Sequence, residues 1–251
     1  MRFPLPCHLT ILALLFATNT HAQHYYYLPN SVHLPAFQQR HDASIGIGLS
    51  RGTGAEAFEI QADYSPVKGV GIIASYMNAG DKEVLRNTLE GFKYRFYEIG
   101  AGLYETIPRA TFSLLGGFGS GNIYNYYQGD EFADLDIRRG FIQPSFLYHD
   151  DFFQGGICMR LSRVYYNKGK IAVAIPPQDL EAIRTIERKS PFFLPEIGIS
   201  GGMKLGPILL SIKVCGIFPR TDNLAFARIN SSVFLSAELG KLFKGKKKAS
   251  Q

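Results

Sequence analysis

The chain has 251 residues and a formal net charge of +6, with no tryptophan and three cysteines. Lys244, Lys246, Lys247 and Lys248 sit together at the end and Arg2 at the start, so the body is nearly neutral and offers no basic face for nucleic acid. Beyond residue 22 no run is long, apolar and uncharged enough for a membrane helix.

Residues 1–22, MRFPLPCHLTILALLFATNTHA, read as a secretory signal peptide. Arg2 supplies the positive start, Leu9 to Ala17 the apolar core, and Thr20-His21-Ala22 the small-residue cleavage site ahead of Gln23. Cys7 precedes the apolar core, where a lipoprotein attachment cysteine would not lie. Cys158 and Cys215 remain; an exported protein can pair them, but two cysteines make no disulfide framework.

Residues 23–42 carry three tyrosines, Pro29 and Pro35 without a sustained period, and read as an irregular lead-in. Residues 43–243 alternate. In AFEIQADYSPVKGVGIIASY, 57–76, Phe58, Ile60, Ala62 and Tyr64 share one face and Glu59, Gln61 and Asp63 the other. A turn at Ser65–Gly69 follows, and Val70, Ile72, Ala74 and Tyr76 resume the apolar face. Ten such runs can be counted, and their apolar faces carry no charge except near strand ends, at Arg95, Arg163 and Lys241. Pro144 and Pro195 fall inside runs and predict bulges, because each removes a ladder hydrogen bond.

Short turns near Pro66, Pro108, Asp150-Asp151 and Gly206-Pro207 alternate with longer segments at 78–92, 122–138, 166–191 and 220–231. Tyr64, Tyr148, Phe153 and Phe243 collect at the short-turn end; Tyr76, Phe118, Tyr165, Phe193 and Phe218 collect at the other, as two interfacial girdles would. The pattern predicts an all-β, antiparallel, up-and-down transmembrane barrel of about ten strands in the bacterial outer membrane. Long loops would lie outside and both chain ends in the periplasm, with 244–251 a solvated basic tail. A soluble exported barrel would use the same alternation with the apolar face inward.

The phrases EIQADYSP, VGIIASY, YEIGAGLYE, FSLLGGFGSG and FIQPSFLYHDDFF give a chain that resembles the uncharacterised outer-membrane β-barrel proteins common in Bacteroidota. The resemblance implies the same fold and membrane, with outer-membrane lipid and the barrel-assembly machinery as partners. It brings no catalytic residue and no cofactor. In many such barrels a terminal aromatic is read during assembly; Phe243 would serve here, with eight residues after it.

The strongest constellation is the inward set: Glu59, Gln61, Asp63, Glu98, Glu196 and Glu238 against Arg139, Arg160 and Lys213, with Gln143 among them. A narrow barrel must pair such groups, which gives a salt-bridged plug; a selective pore is the alternative. No histidine falls in the long loops, which argues against a His-dependent rim hydrolase, and His149-Asp150-Asp151 reads as a polar turn. Gly116 to Gly121 lacks the helix and Lys of a phosphate loop. PPQDLEAIRTIERK, 176–189, predicts a short helix that caps the mouth, lies on the outer leaflet, meets a partner or packs on its own loop. Tyr124, Tyr126 and Tyr127 are candidates for binding a protein or glycan, or for anchoring to lipid. The leading expectation is a non-enzymatic surface or scaffold protein, with a small-solute channel next.

Overall fold

Alternating sequence makes strands here because each can offer one face to each side of a curved wall. The computed structural model describes residues 25–52, 55–81, 90–127, 131–167, 169–172, 175–218 and 226–240. The segment 1–22 read as a signal peptide, Lys241, Phe243 and the basic tail lie outside the described residues. Among the described residues the strands are β1 (Ala43–Gly52), β2 (Ala55–Val67), β3 (Val70–Asp81), β4 (Gly91–Ile107), β5 (Ala110–Tyr126), β6 (Phe132–His149), β7 (Phe153–Tyr166), β8 (Lys170–Ile171), β9 (Phe192–Leu205), β10 (Ile208–Ile217) and β11 (Ile229–Glu238), and a helix, α1, spans Pro177–Lys189.

Ten strands close into an antiparallel up-and-down barrel, in chain order from β1 to β7 and then β9 to β11, with β11 pairing back to β1. The two-residue β8 continues the β6 ladder above the end of β7. The hairpin turns are tight. Gly69 takes φ +86° between β2 and β3, and Gly206 takes φ +65° between β9 and β10, a conformation that a side chain would strain.

The register fixes the barrel's width. A walk across directly paired residues starts at Tyr165 on β7 and passes Arg138, Ser120, Tyr97, Tyr76, Ile60, Ile47, Leu235, Leu210 and Met203. It returns to β7 at Phe153, twelve residues below its start. With ordinary strand spacing and rise, that stagger over ten strands gives a tilt of about 40° and a wall radius of about 10 Å. Side chains alone fill the smaller eight-stranded barrels; this one has room for an extended chain as well.

The apolar face points outward. Leu49 is 71% exposed and Phe118 77%, with Ile47, Ile99, Leu103, Ile142, Ile199 and Leu235 exposed alongside them. The polar face points inward, and Arg139 and Arg160 are completely enclosed. Of the expected girdles, Tyr64, Tyr148 and Phe153 lie on the outer wall at the short-turn end and Tyr165, Phe193 and Phe218 at the other, but Phe118 stands midway along β5 and Tyr76 midway along β3, so neither belongs to an end girdle.

Several expectations need correcting. Neither strand proline makes a bulge. The β6–β7 register is the same on both sides of Pro144, and Pro195 still accepts a hydrogen bond from the Phe218 N–H at 3.0 Å. The one register shift near a proline is between β2 and β3 at Tyr64/Val67, around Pro66. Most of the segment 122–138, expected as a loop, is strand: β5 runs to Tyr126 and β6 starts at Phe132. Tyr25, the first described residue, sits at the long-loop end, against Phe92. Cys158 and Cys215 are buried and form no disulfide.

Candidate functional site

The lead-in is the least patterned part of the described chain, and it fills the lumen. Tyr25 to Leu28, Asn30 to Leu34 and Phe37 are all enclosed. An extended run from Tyr25 to Phe37 reaches about 40 Å, enough to pass through the wall's full height. It forms almost no ladder: Tyr27 bridges Phe226, and its carbonyl accepts from the Ala227 N–H at 2.9 Å. Prolines 29 and 35 suit such a strand-like segment without sheet partners. Many of its polar groups are met by wall side chains, layer by layer.

At the long-loop mouth the contacts are apolar. Tyr25 meets Phe92 edge-on with ring centres 5.3 Å apart, and Tyr27 lies 5.8 Å from Phe226. Phe92, Tyr94, Phe96, Ile123, Leu135, Ile137, Val164 and Leu194 line the wall around them. Helix α1 covers this core. Pro177 starts the helix, Asp179 lies in its first turn and Arg188 and Lys189 in its last, as the helix dipole favours. Ile183 and Ile186 are buried beneath it, and Tyr26 donates to Asp179 at 3.3 Å. Of the placements open to this helix, the structure shows the cap over the mouth.

Two residues deeper, the inward face turns ionic. Arg139 ion-pairs with Glu98, donates to the Tyr27 hydroxyl at 2.7 Å and to the Asn30 side-chain carbonyl at 2.6 Å, and lies 3.5 Å from Glu196. Arg160 donates to Gln143 at 3.0 Å and to the same Asn30 oxygen at 2.8 Å, and reaches Glu196 at 3.5 Å and Glu98 at 3.9 Å. Tyr27 and Ser162 each donate to Glu196 at 2.8 Å. Two guanidiniums thus neutralise two carboxylates from four strands, and Asn30 bridges both arginines. A buried ion without such partners costs on the order of several kcal/mol.

Glu59 is held differently. It accepts from the Ser31 N–H at 2.9 Å, the Ser31 hydroxyl at 2.7 Å and Asn230 at 3.2 Å. Below it Lys213 donates to Gln61 and sits 4.0 Å from the centre of the Phe234 ring. Gln61 donates to the Ser31 carbonyl at 3.0 Å, Gln143 to the His33 carbonyl at 2.8 Å, and Asp63 faces His33 at 3.2 Å. Gly198 and Gly71 leave the space that Val32 and Phe37 occupy; a Cβ at either would collide with those side chains. At the short-turn mouth Thr106 and Thr111 donate to the Phe37 carbonyl at 2.8 and 3.2 Å, and Gln38 meets His149 at 3.3 Å.

Nine of the ten residues expected to form the inward charge set therefore meet around one threaded segment. The tenth, Glu238, lies half-buried lower down, on the wall of a cavity of about 100 Å³ that Asp63 and Lys213 also line. The tyrosines expected on an exposed loop are not there. Tyr127 is buried in the upper core, and Tyr124 and Tyr126 are half-buried on β5, with Tyr124 stacked on Phe132 at 5.6 Å. His149-Asp150-Asp151 is a turn, in which Asp150 accepts from the Phe152 and Phe153 N–H groups at 2.8 and 2.7 Å. Those bonds hold the exposed Asp150 carboxyl below its usual range. Among the described residues no three His, Cys, Asp or Glu side chains gather as a metal site requires.

The residues that sequence reasoning missed are those of the lead-in, above all Tyr27, Asn30 and Ser31. Their one signal was negative: a tyrosine-rich stretch with neither strand nor helix period.

No family model and no curated protein matches the chain. Among solved structures, a chain from work described as "Unveiling the Mechanism Behind the in-meso Crystallization of Membrane Proteins" superposes on 80% of this chain and 85% of its own length. The identity is 8% and the TM-score 0.30, a likeness too slight to carry any property across.

Proposed function

We propose that this protein is a plugged, non-enzymatic outer-membrane barrel of the kind common in Bacteroidota, a surface or scaffold protein whose binding, if any, belongs to its long-loop end. The observation that carries the reading is residues 25–38 threaded through the lumen and bonded to Arg139, Arg160, Glu59 and Gln143. An outward apolar wall supports the membrane placement, since a Lys or Arg on such a face at mid-bilayer costs about 2–4 kcal/mol and none is found there. The inward polar groups are committed to one another and to the threaded segment, which supports a structural role over chemistry.

Conductance across planar bilayers tests the closed lumen. Purified protein should give no steps above the lipid background; steady unitary steps would make it a small-solute channel instead. Carbonate washing of membranes tests the placement, and release of the protein into the wash would refute it.

A further inference from the structure

The outer wall is not uniform around its circumference. On β1 and β2 the exposed charges near the long-loop end, Arg51 and Glu56, stand directly opposite each other across the strands. On β4, β6 and β7 the exposed Arg95, Arg138 and Arg163 point outward, and among the described residues none is within ion-pair distance of a carboxylate. Asp134, bonded to Asn122, and exposed Asp136 share the β6 face, and Lys93 adds a further cation on β4, so the patch is net positive.

A groove lies beneath these arginines. It has a volume of about 950 Å³ and is walled by Tyr97, Ile99, Phe118 and Tyr165, with Arg138 and Arg163 at its edge. Gly140 makes the notch: its cross-strand partners are Phe118 and Arg163, and a Cβ added there would meet only the Phe118 ring, at 3.9 Å. The guanidinium of Arg163 already leans over Tyr165, 5.4 Å from the ring centre.

An apolar slot in the bilayer-facing wall, topped by cations, matches a lipid with an acyl chain below and an anionic headgroup above. Guanidinium suits phosphate because its planar fork can donate two parallel hydrogen bonds. We propose that this groove binds one phosphate-bearing lipid, its headgroup held by Arg138 and Arg163 and its acyl chain lying over Gly140. The proposal rests on the membrane reading above.

The absence of native tryptophan gives a clean test. An Ile142→Trp reporter lies on the same face, two residues below Gly140. A Leu235→Trp control lies on β11, where the paired outward residues are Ile47 and Leu210. Each full-length protein is placed in phosphatidylcholine nanodiscs containing a minor fraction of phosphatidic acid, with bromine on the acyl chains of one lipid or the other. Brominated phosphatidylcholine should quench both reporters; failure to quench either would overturn the membrane reading itself. Brominated phosphatidic acid should quench the Ile142→Trp reporter as if enriched about fivefold or more over its mole fraction, since each engaged arginine is worth about fivefold at an anionic surface. The control should show no excess. Arg138→Gln with Arg163→Gln should abolish the enrichment, and so should Gly140→Leu, which fills the notch and keeps both arginines. Equal quenching at the two sites, or enrichment that survives either change, would overturn the proposal while leaving the membrane reading standing.

Discussion

The upper and middle lumen are built from the same strands and the same inward face, yet they are opposite in chemistry. On β4, Phe92, Tyr94 and Phe96 point inward and are followed by Glu98. On β6, Ala133, Leu135 and Ile137 are followed by Arg139; on β9, Leu194 is followed by Glu196. The outer face changes at nearly the same level, from Lys93 and Arg95 to Tyr97 and Ile99, and from Asp134, Asp136 and Arg138 to Gly140 and Ile142. Above the switch the wall has the pattern of a soluble protein, apolar inside and charged outside. Below it the pattern is inverted. On the membrane reading the solvent on the outside changes there from water to hydrocarbon, and each half of the barrel buries what its own surroundings reject. The threaded segment follows suit, with Tyr25 to Leu28 in the apolar part and Asn30, Ser31 and His33 among the charges.

The largest effect should come from breaking the ionic part. Arg139→Ala leaves Glu98 and Glu196 short of a cation, removes the donor to the Tyr27 hydroxyl and takes one of the two donors from Asn30. It should lower stability by about 3–5 kcal/mol, read as the urea midpoint of folded protein in detergent. Arg139→Met combined with Glu98→Gln, which removes a charge of each sign, should recover much of that loss. If the double variant is no better than the single one, pairing is not what the middle layer depends on.

Ile186→Ala probes the apolar part. It empties space under α1 and should cost about 2–3 kcal/mol, toward the low end for such truncations because a surface helix can settle into the gap. The loss should be insensitive to salt and pH, unlike any residual effect in the ionic layer. A cost as large as that of Arg139→Ala would mean the upper core, and not the charge cluster, fixes the plug.

Glu59→Gln should fall lower, at about 1.5–3 kcal/mol, the range for hydrogen bonds to a charged group. It keeps the shape but weakens the bonds from Ser31 and Asn230. Its specific signature is faster proteolysis of the lead-in in otherwise folded protein; unchanged protection there would show that Glu59 does not hold the segment.

The smallest effect belongs to the exposed turn. Because backbone N–H groups favour the ionised Asp150, its contribution is complete at neutral pH and fades as pH falls through the depressed value. The difference between wild type and Asp150→Ala should therefore be slight at pH 7 and vanish in strong acid. A difference that grows on acidification would reverse the sign of this argument.

Alternation by itself determined the strand count, the up-and-down order and which residues share a face, because side chains on a strand can only alternate. It also placed Glu98, Arg139, Arg160 and Glu196 on one shared face, since all belong to the polar parity; that this face is the inner one needed the closed barrel. The reach of β6 was hidden by the same rule. In ADLDIRRGFIQPSF the apolar residues beyond Ile137 move, Phe141 apart, from odd to even positions, which reads as a strand ending when the chain in fact runs straight on. What fills the lumen was decided only in three dimensions. A stagger of twelve residues around ten strands leaves a space that wall side chains do not close, and the segment that bonds to its buried charges lies far from them in sequence, as Tyr27 and Asn30 do from Arg139 and Arg160. Such long-range contacts leave no period to read, because the groups that need each other are matched by charge and by depth in the barrel, not by spacing along the chain.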